Sequence, residues 1–234
     1  RTHNISSYPP SLSWDEVSIG YNAYSILKTG ADEYGAKFPV LLRAYDDWRP
    51  AFYVYLVIPS IKLFGLTPFG VRLPSVLLGV ITVLLTYFLV LELFLKLEIR
   101  NLKLRAIALL SALLLAVSPW HIYLSRLSHE ANLGLTLIVL SVYCFFRAIN
   151  NKHNAWCLIA SAAAFGLSLN SYQSQKIIAP VLVCLLGVLF WRQLLLIKKE
   201  LLISFILGLV IAAPIIYINV QPEALTRLRA TATF

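Results

Sequence analysis

Residues 71–97 read VRLPSVLLGVITVLLTYFLVLELFLKL. As an α-helix rising about 1.5 Å per residue, this stretch is long enough to cross a hydrocarbon core of about 30 Å with some tilt. It decides the fold class, because the rest of the chain repeats the pattern. Further apolar stretches at about 105–123, 131–149, 154–171, 177–197 and 200–219 predict five more crossings. Pro119, Pro180 and Pro214 fall near the ends of these stretches, where a lost backbone hydrogen bond is easiest to repair.

Bulk composition agrees. The chain is 59% hydrophobic and only 13% charged, with a mean hydropathy of +0.76. Soluble domains carry about 25% charged residues, so this chain has more apolar surface than one core can hide, and lipid must cover the surplus. The expected architecture is therefore all-α: a polytopic transmembrane helical bundle of about six spans over residues 71–219. Residues 1–70 form a long loop outside the membrane, and residues 220–234 begin another. Within the first loop, Glu16 to Leu27 is spaced like a helix that Gly30 stops, and Pro50 to Phe64 reads as a helix lying at the membrane interface.

The net charge of +9 does not indicate nucleic acid. The basic residues sit in short clusters between apolar runs, which is how topology signals are written. Lys96, Arg100, Lys103 and Arg105 share one loop, Arg147 and Lys152 another, and Arg192, Lys198 and Lys199 a third. These three loops alternate with the others and belong on the cytoplasmic side. The first loop, the turns near 124–130 and 172–176, and the tail from Gln221 then share the opposite face. Cys144, Cys157 and Cys184 lie within or beside apolar runs without metal-binding spacing, as buried thiols do. The chain begins at Arg1 and contains no methionine, which reads as part of a longer protein, and its polar first thirty residues do not resemble a signal peptide. Asn4-Ile5-Ser6 matches a glycosylation sequon, a motif too common to carry weight.

Most of the unusual polar residues fall on that outer face. Asp15 and Glu16 either complement a helix dipole behind a Ser13 cap or serve a site, and as neighbours about 100° apart they cannot do the same job. His129 and Glu130 enter the 131–149 span, either as a helix start capped by Ser128, with Arg126 pairing Glu130, or as functional groups placed close to hydrocarbon. Asp46, Asp47 and Arg49 precede Pro50. Tyr172 to Lys176 forms a polar bridge between two apolar spans, with Tyr172 suited to an aromatic belt and Lys176 to headgroups. Arg49 and Lys176 have the chemistry to hold a lipid phosphate.

The order of these features resembles a known family. Trp14-Asp15-Glu16, Tyr21-Asn22-Ala23-Tyr24, Thr29-Gly30, Asp47-Trp48-Arg49-Pro50, Leu63-Phe64-Gly65 and Val71-Arg72-Leu73-Pro74-Ser75 follow one another. That run resembles the first outer loop of GT-C glycosyltransferases, in particular the protein O-mannosyltransferase and aminoarabinose transferase superfamily. Ser125 to Asn132 is similar to the group's second outer loop. The likeness covers the chain as the N-terminal part of a longer prokaryotic-type membrane enzyme. It departs from the family pattern where many relatives carry an aspartate, a place filled here by Glu130 or His129.

The resemblance implies inverting transfer of a mannose-like or aminoarabinose-like sugar from a polyprenyl-phosphate donor to a hydroxyl acceptor of unknown identity. Asp15 would be the general base. Glu16, Glu130 and His129 would orient the acceptor or bind a divalent ion. Arg49 and Lys176 would neutralise the lipid phosphate, with Asp47, Tyr172 and Arg126 as further candidates nearby. The alternatives are a polytopic transporter or lipid-linked oligosaccharide flippase, which would favour charges inside the spans, and a membrane scaffold with dispensable acids.

Overall fold

The computed structural model describes residues 2–45, 47–95, 101–151 and 154–219. The loop at 220–234, together with Lys96, Arg100, Lys152 and Asp46, lies outside the described residues.

Helix α1 (Trp14–Thr29) starts and stops as its sequence predicts. The Ser13 hydroxyl accepts from the Glu16 N–H and the Glu16 carboxylate accepts from the Ser13 N–H, a complete capping box. Gly30 ends the helix with φ 73°, a left-handed geometry that favours glycine, and its N–H closes onto the Ile26 carbonyl.

The first loop adds an element to the helical architecture. Strands β1 (Leu41–Ala44) and β2 (Asp47–Pro50) pair antiparallel, with Leu42 opposite Arg49 and Tyr45 in the turn at φ 59°. Four-residue strands are too short to leave a clear alternation in sequence. Leu42 and Ala44 are buried, and this anchors the hairpin to the protein.

Among the described residues, eight helices follow up to residue 194: α2 (Phe52–Phe64), α3 (Pro68–Leu93), α4 (Asn101–Val117), α5 (Pro119–Arg126), α6 (Glu130–Asn150), α7 (Ala155–Leu169), α8 (Gln175–Leu189) and the short α9 (Trp191–Leu194). A 3₁₀ turn at Leu195–Ile197 leads into α10 (Lys198–Asn219). One face of helix α2 is buried within the protein. Tyr53, Val54, Val57 and Ile61 pack in one core with Ile19, Ala23 and Ile26 of α1, Val71 of α3, and Leu133 and Leu137 of α6.

Helices α3 and α6 run parallel. Asn132 donates to Ser75 at 2.7 and 3.1 Å, the Thr82 and Thr136 hydroxyls lie 2.8 Å apart, and Asn150 donates to Glu92 at 2.7 and 3.1 Å. Each contact of this kind is worth about 0.6 kcal/mol where lipid removes the hydrophobic drive between helices. A parallel pair needs a return pass between its members, and α4 with α5 supplies it. That return is bent by 59° between Val117 and Pro119, because Pro119 has no N–H to continue the α4 ladder. Helix α7 passes back along α6, its Ser161 hydroxyl donating to the Ser141 carbonyl at 2.8 Å. Helix α10 lies close along α7, where a side chain on Gly166 would stand 2.8 Å from the Gly208 carbonyl oxygen.

Among the described residues, α3 and α6 are long and apolar enough to cross a membrane, and the bent α4–α5 pair makes a third candidate. This differs from the six crossings predicted. Helices α7 and α8 have only 15 residues each, about 22 Å at 1.5 Å per residue, less than a hydrocarbon core of about 30 Å. Leu77, Leu84, Leu109, Leu113, Val188 and Leu196 are exposed on the helices, as a lipid-covered bundle requires.

Candidate active site

The start of α1, the hairpin, the start of α6 and the loop after α7 meet at one end of the bundle. Asp15 is the second residue of α1, and its side chain is 44% exposed. Arg49 stands on β2 opposite the buried Leu42, so its side chain shares the inward face of the hairpin. Its Nη2 donates to Asp15 Oδ1 at 2.8 Å, and its Nη1 lies 3.7 Å from Glu130 Oε1. The first is a charge-assisted hydrogen bond and the second an electrostatic contact. One guanidinium thus bridges two carboxylates from distant parts of the chain.

Glu130 opens α6 with its side chain 8% exposed. Its Oε2 is buried and has no hydrogen-bond partner among the described residues. A buried carboxylate oxygen without a partner within the protein is uncommon.

The cap of α6 is His129 rather than the expected Ser128. The Ser128 N–H donates to Glu16 Oε1 at 3.1 Å and its hydroxyl lies 3.1 Å from the Tyr53 hydroxyl, so Ser128 is already engaged. His129 Nδ1 accepts from the Ala131 N–H at 3.1 Å. That bond assigns the ring proton to Nε2, so the 3.8 Å approach of Nδ1 to Glu130 Oε2 is not an ion pair. The imidazole meets the Tyr172 ring edge to face at 5.5 Å. Burial first, then the charges of Glu130 and Glu16, hold the Tyr53 phenol above its ordinary range, so it stays protonated among these acids.

Other sequence candidates fall elsewhere. Glu16 adjoins Asp15 but is fully buried, with its carboxylate on Arg72 at 2.7 Å. Arg126, expected on Glu130, donates to the carbonyls of Tyr8 at 2.9 Å and Asn4 at 3.2 Å. Lys176 lines an apolar cavity of about 450 Å³ between α7, α8 and α10. Asp47 lies on β2, with its side chain outside the described residues.

Two residues that sequence reasoning left without a role also build this end. Gln173 donates to the Trp48 carbonyl at 3.0 Å, docking the loop after α7 onto the hairpin. Arg72 is fully buried. Its signal was present as a lone cation heading a long apolar helix. No group of three or more His, Cys, Asp or Glu able to hold a metal exists among the described residues. Arg49 already places positive charge between Asp15 and Glu130, so this donor set does not fit a divalent ion.

Among solved structures, the crystal structure of ArnT from Cupriavidus metallidurans in the apo state is similar to this chain, with a TM-score of 0.64 at 18% identity. The match covers 94% of this chain and 40% of that one. A search of curated proteins found no match. The model of the family described as dolichyl-phosphate-mannose-protein mannosyltransferase matches residues 49–218, from Arg49 through α10. A membrane helical bundle of this topology is a GT-C-type glycosyltransferase fold. The chain belongs to the dolichyl-phosphate-mannose-protein mannosyltransferase family. The matched region contains Arg49, His129, Glu130 and Lys176 but begins after Asp15 and Glu16.

Proposed function

We propose that this chain carries the acceptor-activating site of a membrane glycosyltransferase that uses a polyprenyl-phosphate sugar donor, with its site on the extracytoplasmic face. The observation that carries this reading is the convergence of Asp15, Arg49 and Glu130 from three separate elements. Asp15 is the accessible carboxylate of the set and takes the proton of the acceptor hydroxyl. The acceptor oxygen attacks the anomeric carbon as the bond from that carbon to the phosphate oxygen breaks. The polyprenyl phosphate leaves with the electron pair, and the configuration inverts. Arg49 orients Asp15 and meets the charge developing on the phosphate, which needs a cation more than an acid. Glu130 Oε2 accepts a hydroxyl of the acceptor or sugar. Lys176 adds a second cation beside an apolar cavity suited to a lipid chain. The sugar is mannose-like or aminoarabinose-like.

Arg49→Lys tests the assignment. Lysine keeps the charge but cannot bridge two partners with a planar fork. A hydrogen bond to a charged group contributes about 1.5–3 kcal/mol, so kcat/KM for the donor falls by about 10–100-fold. Initial rates at varied donor concentration measure it, and an unchanged value removes Arg49 from the site.

A further inference from the structure

We propose that Arg72 is a positioning residue of the transfer reaction: it clamps the N-terminal segment, α1 and the α5–α6 loop together, and so sets the distance between Asp15 and Glu130. This rests on the function proposed for those two acids.

A guanidinium has five N–H donors, and each of the five from Arg72 finds an acceptor. Nε donates to Glu16 Oε1 at 2.7 Å, and Nη2 to Glu16 Oε2 at 3.2 Å. Nη1 donates to the carbonyls of Ile5 at 2.9 Å and Pro9 at 2.8 Å, and Nη2 also to Ser11 at 2.9 Å. Glu16 is used as completely. Its Oε2 also accepts from the Ser13 N–H at 2.9 Å, and its Oε1 from the Ser128 N–H at 3.1 Å. Neither side chain has exposed surface.

The consequence is geometric. Asp15 lies within the capped turn that Ser13 and Glu16 close, and Glu130 comes two residues after Ser128. Both acids are therefore referenced to one rigid point on α3, and neither touches it. Arg126 adds a second tie from α5 to the same N-terminal segment, through the carbonyls of Tyr8 and Asn4. Lysine at position 72 keeps the charge but offers three donors, too few for this set of acceptors.

Catalytic groups must be held to a fraction of an ångström, and small misplacements far from the chemistry are costly. In the full chain, Arg72→Lys is expected to reach the membrane and lower kcat about tenfold or more, with KM for the donor within about twofold. In an Asp15→Asn background the same change adds no further loss. Hydrogen exchange speeds up at 2–12 and 127–130 and is unchanged at the α3–α6 contacts near Thr82 and Thr136. If Arg72→Lys does not accumulate, Glu16→Gln, which keeps the shape and one acceptor oxygen, carries the same comparison. A drop in folded protein with normal turnover per folded molecule overturns the proposal, as does an additive loss in the Asp15→Asn background. If the wild type transfers no sugar, the chemistry falls on its own. Exchange then decides the clamp, and unchanged protection at 127–130 overturns it.

Discussion

Asp15→Asn lowers sugar transfer by about 10²–10⁴-fold, the usual contribution of a positioned general base, while the chain still reaches the membrane in its normal amount. The amide keeps the shape of the carboxylate and its place in the first turn of α1, but it cannot accept the acceptor's proton. Little stability is lost because the side chain is 44% exposed and helix N-terminal charge is a modest term. The pair with Arg49 weakens, yet Arg49 still faces Glu130 at 3.7 Å. Turnover per folded molecule, with expression and melting temperature measured in the same detergent, checks this. Near-normal turnover takes Asp15 out of the mechanism.

Glu16→Ala, one residue along, has the opposite signature. It leaves the Arg72 guanidinium fully buried without its counter-charge. Breaking a buried pair from one side costs about 3–5 kcal/mol, a large share of a total stability of about 5–15 kcal/mol. The Ser128 N–H and Ser13 N–H lose acceptors as well. The expected result is poor accumulation and a sharply lower melting temperature, measured against Asp15→Asn prepared alongside. A stable, well-expressed Glu16→Ala protein would contradict the buried pair.

These neighbours show what the sequence could and could not disclose. Their side chains diverge by about 100°, so one had to point away from the other. Which faced the core depended on Arg72, contributed by a helix more than fifty residues away. The helical bundle was legible because lipid imposes long apolar runs that need no partner to be recognised. Charge bias sorts loops by side and put Asp15, Glu130 and Lys176 together; in the structure Asp15 and Glu130 meet through Arg49. Pairing was not legible. Arg126 chose backbone carbonyls over Glu130, and Arg49 took the place between the acids while Lys176 went to a separate cavity. The cap of α6 moved from Ser128 to His129 because tertiary contacts claimed Ser128 first. The hairpin escaped notice for a different reason, since its strands are stabilised by burial of Leu42 and Ala44 rather than by any local pattern.

The most direct test uses the full chain in proteoliposomes, supplied with a polyprenyl-phosphate sugar radiolabelled in the sugar and a pool of hydroxyl acceptors. The account predicts release of polyprenyl phosphate matched by label in a new glycosidic bond of inverted configuration, with both lost in Asp15→Asn. Label that stays on the intact lipid, or crosses the bilayer without forming a glycosidic product, would contradict it.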